Sequence, residues 1–458
     1  MLDEYTLPES ITGYLAKSGL PNPYGAMRPF IARWMRMLTA KGDFYDYEDK
    51  VDGQRLKIHR RSIRPAAKVA EEWASLLMTD KTTVATDDEA ANEWLGAWMD
   101  STGFLLNGSD LVKDAFALGT AAWALWLDVE GGRMVPRRYD ARQVIPISWD
   151  DGRIVECAFA SRASYRGQML DQLTLHLRQA DGYHILSRAW DTDGREVVPD
   201  GTEADFATGC PYPTFAVVRP AVKNTRVDMS PYGQSVYADA VDALEAVDLA
   251  FDAIFNEVDL TKARIFVADM LVDYGDGDGQ SRPLPFGRDN TVFRKVAATS
   301  DLVEVFAPQM RTSSQKEAYE LALRAMGGCC GFGESYFVER SGLRTATEVS
   351  SDNSQLMRNI RKHEKLLAGA ICDIVRAAVF CAKRHLGQAQ LPDYVEVAVG
   401  FDDSIIQDTA AEKAQDMAEL NVTLNPWEFR MKWYGEDEAT ARANVPGAQE
   451  AAAPLFEG

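Results

Sequence analysis

Hydrophobic residues recur with helical spacing over the first part of the chain, to about residue 130. After Pro65, which the first turn of a helix tolerates, Val69, Trp73 and Leu76 fall on one face. A second apolar run at about 111–127 predicts another helix, and Gly119 at its centre is small enough to let another backbone approach closely. The pattern predicts a helical N-terminal region with apolar faces packed in a core.

The pattern changes between about residues 133 and 220. Short runs rich in Val, Ile, Tyr and Phe alternate with turn dipeptides such as Asp151-Gly152 and Asp181-Gly182. Turn signals at this spacing are typical of antiparallel strands joined by hairpins. We therefore predict a β-rich domain in this part of the chain.

An acidic amphipathic helix is predicted at 231–258. Its apolar positions, from Tyr237 to Val258, step by three and four residues. The rest of its surface carries one sign of charge, and no Lys or Arg occurs between Arg226 and Lys262. The acidic residues are Asp239, Asp242, Glu245, Asp248, Asp252 and Glu257. A surface helix normally mixes signs to gain i,i+4 ion pairs, so this omission needs a cause.

A strand-and-loop segment and a shorter helix are predicted next. The segment covers about 263–307, and the capping-box residues Ser314 and Glu317 open the helix, which we expect to end at Gly327-Gly328.

A long helix is predicted from the capping box of Thr345 and Glu348 to Gly387. At about 1.5 Å per residue, its roughly 40 residues give a rod of about 60 Å. A rod of this length favours packing between subunits over a single compact core. A strand at 394–401, acidic helical sequence and an alanine-rich flexible tail from about residue 439 complete the prediction.

Composition and charge restrict the class of protein. The chain has 458 residues, and 49 Lys and Arg against 69 Asp and Glu give a net charge of −20, which makes a tight, static nucleic-acid clamp a poor candidate. The six cysteines lack paired C-x2-C spacing, which indicates reduced thiols in a cytosolic protein. The N-terminus lacks a signal-peptide layout, and no run of 18 apolar residues occurs. We expect a soluble protein without a membrane partner.

Motifs for catalysis are mostly missing. The chain has no phosphate-loop motif, no nucleophile elbow and no second histidine to complete a zincin pair with His363. The Asp276-Gly-Asp278-Gly279 run is similar to a calcium loop, but its twelfth position is Gly287 instead of glutamate. We predict no catalytic, cofactor-binding or metal-binding residue. Two alternatives stay open: a metal-dependent acidic hydrolase using Asp402, Asp403 and Asp408, and a monomeric interaction scaffold.

Five stretches, in this order, resemble a tailed-bacteriophage portal protein of the long-tailed siphophage type. They are Ile63–Val84, Ala115–Trp123, Val144–Ile154, Tyr232–Ser235 with the acidic helix after it, and Arg344–Val349. Each motif alone is weak, whereas their common order along about 60–405 is more specific.

The resemblance implies an α+β, multi-domain protomer with long stem and wing helices, a β-rich wing and a small α/β clip. Such protomers form a ring, usually a dodecamer, at one capsid vertex of the virion, after assembly in the host cytoplasm. Double-stranded DNA passes through the channel during packaging and ejection, with weak, non-specific contact. The implied partners are the terminase, the head–tail connector and the major capsid protein; no cofactor or enzymatic activity is implied.

Carried over by position, the resemblance divides the chain into seven parts. They are the wing at 1–230, the first stem helix at 231–258, the clip at 259–312, the second stem helix at 313–332, the tunnel loop at 333–345, the long wing helix with its strand at 346–402, and a short crown with a flexible tail at 403–458.

The resemblance also implies three groups of site residues. The channel lining is Asp239, Asp242, Glu245, Asp248 and Asp252; the tunnel loop presents Glu339, Arg340, Ser341 and Arg344; the clip docks partners through Asp276, Asp278, Arg282 and Arg288. An acidic wall would repel the duplex, because each phosphate neutralised by Lys or Arg adds affinity. A plain solvated acidic face explains the same helix equally well. Arg340 and Arg344 would either touch phosphates transiently or pair with Glu339 or Glu334.

Overall fold

A computed structural model describes the chain at residues 6–51, 54–199, 203–268, 292–295, 303–338, 346–401, 413, 416–420 and 424–445. The helices named here are α1 (Glu9–Lys17), α2 (Tyr24–Thr39), α3 (Pro65–Leu77), α4 (Glu89–Thr102), α5 (Phe104–Leu118), α6 (Val241–Leu260), α7 (Thr312–Cys329), α8 (Ala346–His385), α9 (Pro426–Tyr434) and α10 (Glu438–Ala443).

The strands are β1 (Asp46–Val51), β2 (Gln54–His59), β3 (Thr83–Thr86), β4 (Ala121–Asp128), β5 (Arg133–Asp140), β6 (Val144–Asp150), β7 (Arg153–Tyr165), β8 (Gln168–Gln179), β9 (Gly182–Trp190), β10 (Asp205–Cys210), β11 (Phe215–Val218), β12 (Arg264–Ala268), β13 (Val292–Lys295), β14 (Val303–Phe306) and β15 (Val397–Gly400). Mixed helices and sheets confirm the predicted α+β class.

Two antiparallel sheets make up the β-rich part. One has the order β10-β9-β8-β7-β6, and the other has the order β11-β4-β5. Their facing side chains, including Phe159 and Phe215, form a buried cluster of their own. Strands β5–β11 therefore confirm the prediction for 133–220.

The predicted helix at 111–127 is wrong in its second half. Helix α5 ends at Leu118, Gly119 has a φ of +84°, and Ala121–Asp128 form β4. The first five residues of β4 are buried, so the strand reads as a continuous apolar run without the alternation of a half-exposed strand. Such a run has the same appearance in sequence as a buried helix.

The small residues after α5 do admit a second backbone, as the sequence predicts. A Cβ added to Gly119 would lie 2.7 Å from the carbonyl oxygen of Gly233. The amide of Gly233 donates to Thr120 Oγ1 at 3.0 Å, and the amide of Val236 donates to the Phe116 carbonyl at 3.0 Å. These contacts hold 231–240 in an irregular path, so the helix predicted from residue 231 begins instead at Val241.

Helix α8 confirms the predicted 40-residue rod, but its surroundings differ from the expectation. Leu356, Ile360, Ile371, Ile374 and Ala378 are buried against the helices and sheets of the same chain. Packing between subunits is therefore not needed to cover this face of the rod from Leu356 onward.

Two smaller corrections concern the ends of helices and strands. Helix α7 continues through Gly327 and Gly328 to Cys329, and the amides of Phe332 and Gly333 then close its end by donating to the Gly327 carbonyl. The strand predicted at 394–401 is β15, which pairs antiparallel with β3. No helix in the described part of the chain is long and apolar enough to cross a membrane.

Candidate functional site

Helices α6 and α7 pack against each other, and a small sheet joins their ends. The chain leaves α6 into β12, which lies between β13 and β14, and enters α7 after β14. The apolar side chains of α6 become more exposed toward its C-terminal end. Val241, Leu244 and Val247 are buried, whereas Phe255 and Val258 are exposed. The last turn of α6, after Phe255, therefore projects from the body of the protein.

Asp248 anchors the middle of α6 to the N-terminal region. Its side chain is fully buried and accepts hydrogen bonds from Tyr45 Oη at 2.8 Å, Ser62 Oγ at 2.7 Å and the Ile63 amide at 2.9 Å. Burial raises the pKa of Asp248, and these donors oppose the rise. The prediction that Asp248 belongs to an exposed acidic surface is wrong, because its carboxylate faces away from solvent into this cluster.

Asp252, one turn further along α6, also faces the N-terminal region. Its side chain is 14% exposed, accepts from the Arg61 amide at 3.3 Å and lies 3.7 Å from the Arg61 guanidinium. The same guanidinium lies over the ring of Phe255, 4.9 Å from its centroid. Asp252 is therefore mostly withdrawn from any channel surface.

Arginines from distant parts of the chain compensate the carboxylates of α6, which carries no Lys or Arg of its own. Arg33 and Arg60 act on Glu245: burial and the neighbouring Asp242 raise the pKa of Glu245, and the two arginines oppose that rise. Arg61 and Arg311 pair with other carboxylates of the helix. This distribution explains the one-signed sequence of α6. The basic residues clustered at 60–64 in an acidic chain were a signal that sequence reasoning missed.

Glu257 and Arg311 join the ends of the helix pair next to the sheet. Arg311 donates from Nε to Oε1 at 3.0 Å, from Nη2 to Oε2 at 2.6 Å and from its amide to Oε1 at 3.2 Å. The Glu257 side chain is 5% exposed, and the Arg311 hydrogen bonds lower its pKa. Glu257 is thus a structural ion-pair partner and does not belong to an exposed acidic face.

Asp239 and Asp242 remain on the surface. The Asp239 side chain is 64% exposed, pairs with Arg226 and accepts from Gln234 Nε2 at 3.0 Å, so part of its charge is compensated. Asp242, in the first turn of α6, is exposed. Of the five predicted lining residues, these two and the half-buried Glu245 keep access to solvent.

Residues 330–338, directly after α7, are fixed to α3 and α8. Trp73 Nε1 donates to the Cys330 carbonyl at 3.2 Å, Asn359 Nδ2 donates to the Gly331 carbonyl at 2.8 Å, and Tyr336 Oη donates to Glu72 at 2.9 Å. The predicted tunnel-loop residues Glu339, Arg340, Ser341 and Arg344 lie outside the described residues.

A buried aromatic cluster supports this attachment. The Trp73 ring lies 4.6 Å from Phe332 and 4.7 Å from His363, and the His363 ring lies 4.8 Å from Phe116. His363 Nδ1 accepts from the Ala221 amide at 2.9 Å. Burial lowers the pKa of His363 to about 4, so the imidazole is neutral near pH 7.

A family model described as "Phage portal protein, SPP1 Gp6-like" matches residues 25–424. The chain belongs to this family. It is therefore a portal protein, and its family is structural, not enzymatic.

Solved structures similar to this portal protein come from the particles of a gene transfer agent (GTA). "Neck of native GTA particle computed with C12 symmetry" has 12% identity and a TM-score of 0.39, and "Neck of empty GTA particle computed with C6 symmetry" has 13% identity and a TM-score of 0.42. Each match covers 88% of this chain and 92% of the other. A search of curated proteins finds no significant match.

Apolar side chains of this portal protein remain uncovered on the helix pair and its sheet. Leu249 is 52% exposed on α6, Leu321 is 70% exposed on α7, and Val305 is 64% exposed on β14. All four residues of β14 are exposed, and it lies at the edge of its sheet. A strand edge and an apolar stripe left open in one chain are typical of surfaces that other chains cover.

The remaining predicted residues of the portal protein lie outside the described residues. These are the clip residues Asp276, Asp278, Arg282 and Arg288, and the alternative hydrolase residues Asp402, Asp403 and Asp408. Among the described residues, no group of three or more His, Cys, Asp or Glu side chains is placed to hold a metal ion.

Proposed function

We propose that this portal protein assembles into a closed ring, a dodecamer, at one vertex of the capsid. The observation that carries the proposal is the α6–α7 pair, which the Asp248 cluster holds on the body while its apolar side chains, such as Leu249 and Leu321, stay exposed. Neighbouring copies would cover these side chains, and repetition of one such contact around an axis closes a ring.

The helix pair forms the stem of the ring, the β12–β14 segment forms the clip, and the two antiparallel sheets with α8 belong to the wing. Packaged and ejected double-stranded DNA passes along the stem. The clip, at the far end of the projecting helices, is the surface that the terminase and later the head–tail connector reach. The wing contacts the major capsid protein in the virion, and assembly takes place in the host cytoplasm.

Asp239, Asp242 and Glu245 give the stem wall its acidic character. A wall of carboxylates repels phosphates, so the duplex stays centred and slides, whereas Lys or Arg would add affinity through counterion release. Asp248 and Asp252 contribute to this wall only through the anchoring of α6. The tunnel loop at 333–345 and its Arg340 and Arg344 provide the transient phosphate contacts.

The mass of the purified protein tests the ring. We expect a particle near twelve times 50.8 kDa, with a central hole in negative-stain images. A monomer without a hole would overturn the ring and favour the interaction scaffold. Metal-dependent turnover that disappears in Asp402→Asn would favour the hydrolase.

A pair of charge reversals tests the channel wall. Asp242→Lys with Glu245→Lys should leave the ring intact and slow DNA packaging, because the reversed side chains attract the duplex. Glu93→Lys with Asp100→Lys, two exposed acids on α4, changes the net charge equally and should package normally. Normal packaging by correctly built α6 variants would contradict the channel role. Asp248 is left unchanged, because a lysine there would break the anchor.

A further inference from the structure

Arg219 carries a positive charge that no carboxylate of the described residues compensates. Its Nη1 donates to the Pro231 carbonyl at 2.9 Å, and its Nη2 donates to the Gly152 carbonyl at 2.7 Å. These bonds join the turn between β6 and β7 to the loop before α6, so they fix the position of the guanidinium. A guanidinium has five N–H groups. With two of the five used, three have no acceptor in the described part of the chain.

The half-buried Arg219 side chain lines an open pocket of about 400 Å³. Burial lowers the pKa of Arg219, and no nearby carboxylate opposes this effect. Lys223, exposed on the same pocket, also has no ion-pair partner among the described residues. Of the described residues that line the pocket, Asp228 is the one acid; it accepts from the Met229 amide at 3.0 Å and forms an ion pair with neither cation. Two unpaired cations make the pocket a site for a carboxylate.

Exposed apolar side chains border the same pocket. Met229 is 87% exposed, and Leu366, which belongs to α8, is 52% exposed. Met229 has a φ of +51°, in the left-handed region that a methionine rarely adopts. The hydrogen bond from its amide to Asp228, and the bond from the Tyr232 amide to Ser230 Oγ at 3.2 Å, hold the loop in this conformation. Apolar side chains fixed at the surface beside unpaired cations are typical of a place that another chain covers.

We propose that a neighbouring copy of this chain inserts an Asp or Glu side chain into the pocket, where its carboxylate pairs with Arg219 and Lys223. The contact presupposes the ring proposed for this portal protein, in which the pocket of one copy meets a different surface of the next. Charge complementarity favours a second copy as the occupant. The chain has 69 acidic against 49 basic residues, so the surface that it presents to a neighbour is acidic on average.

Zero-length cross-linking of assembled rings tests the contact. Protein labelled with ¹⁵N is mixed with unlabelled protein before assembly, and a carbodiimide then couples lysine amines to the carboxylates that touch them. Digestion and mass spectrometry should identify Lys223 joined to an Asp or Glu peptide, with both isotopes present in the same joined pair, because the two peptides come from different copies. Lys383 and Asp393, 2.8 Å apart in one chain, are the internal control and should give joined pairs of a single isotope.

The outcomes separate this contact from the ring itself. Rings in which Lys223 stays uncoupled, or couples only to Asp228 of its own copy, overturn the contact and leave the ring in place. Coupling of Lys223 to a different protein, in whole particles only, overturns the contact in the same way. Wild-type protein that remains monomeric overturns both the contact and the ring.

Charge reversal at the exposed lysine gives a second readout. Lys223→Glu places a negative charge opposite the incoming carboxylate and should lower the yield of rings by about tenfold at the same protein concentration. Lys223→Arg keeps the positive charge and should assemble like wild type. Lys17→Glu, at the exposed end of α1, changes the net charge equally and should also assemble like wild type. A ring yield that Lys223→Glu does not lower contradicts the contact.

Discussion

Arg311, directly before α7, donates hydrogen bonds to both carboxylate oxygens of Glu257, near the end of α6, at 3.0 and 2.6 Å. The two residues are 54 positions apart, and the segment between them contains the three-stranded sheet. This ion pair closes the helix pair at its projecting end, where the described apolar side chains Phe255, Val258 and Leu260 are exposed. Among the described residues, this polar contact is what joins the two ends of the segment that contains the sheet.

Glu257→Gln should lower the melting temperature at pH 7, because the amide keeps the shape of the carboxylate but loses its charge. The pKa of Glu257 is lowered in the folded state, so its stabilisation is present above the ordinary value of 4.5 and is lost as the pH falls through the lowered pKa. The difference between wild type and variant should therefore shrink from pH 7 to pH 3.5 in thermal scans.

Glu320→Gln is the matched control for this ion pair. Glu320 pairs with Lys316 one turn away on α7 at 3.6 Å, and the Lys316 side chain is 76% exposed. Exposed i,i+4 pairs contribute little, so the melting temperature should change by about 1 °C or less. An equally small change for Glu257→Gln at pH 7 would show that the Arg311 contact does not hold the helix pair together.

Asp248→Ala should destabilise the protein by about 2–4 kcal/mol, because it leaves Tyr45 Oη, Ser62 Oγ and the Ile63 amide without their acceptor in a buried place. Asp242→Ala, six positions earlier on an exposed part of α6, should stay within about 0.5 kcal/mol of wild type. Urea unfolding followed by tryptophan fluorescence measures both. Equal effects of the two substitutions would contradict the anchoring role of Asp248.

Gly119→Ala should destabilise the protein by about 3 kcal/mol or more. The new Cβ would meet the Gly233 carbonyl oxygen at 2.7 Å, and the φ of +84° is strained for alanine. The control is Gly96→Ala in α4, where nothing lies within 4 Å of the added Cβ, and a gain of about 0.5–1 kcal/mol is expected. Chemical unfolding compares them, and a neutral Gly119→Ala would show that the two backbones can separate easily.

The sequence predicts those parts of the fold whose signal is local. The turn dipeptides around Asp151 and Asp181 mark the hairpins of β6–β9, and the spacing of Leu356, Ile360 and Ile371 marks α8. The small residues at Gly119 predict close backbone contact, although the pattern does not identify Gly233 as the partner.

Long-range contacts account for what the sequence does not predict. The acidic residues of α6 form one uniform face in the sequence, but Ser62 and Ile63, 186 and 185 positions away, turn Asp248 into a buried anchor. Arg311, 54 positions after Glu257, likewise turns that carboxylate into a structural ion-pair partner. Periodicity describes one helix at a time, so it cannot separate a carboxylate facing solvent from one facing a distant arginine or hydroxyl.

His363 gives the last prediction, which concerns acid stability. The unfolded chain binds a proton at histidine near the ordinary pKa of 6.5, whereas burial lowers the pKa of His363 to about 4. Between these values the unfolded state binds more protons, so stability falls as the pH falls, by at most about 3 kcal/mol from this residue.

His363→Gln keeps an acceptor for the Ala221 amide but does not titrate. The variant should be less stable than wild type at pH 7, and the difference should narrow by pH 4.5 in urea unfolding. The buried His176 is present in both proteins, so its titration cancels in the comparison. Parallel stability curves over this range would mean that His363 remains accessible to protons in the folded state.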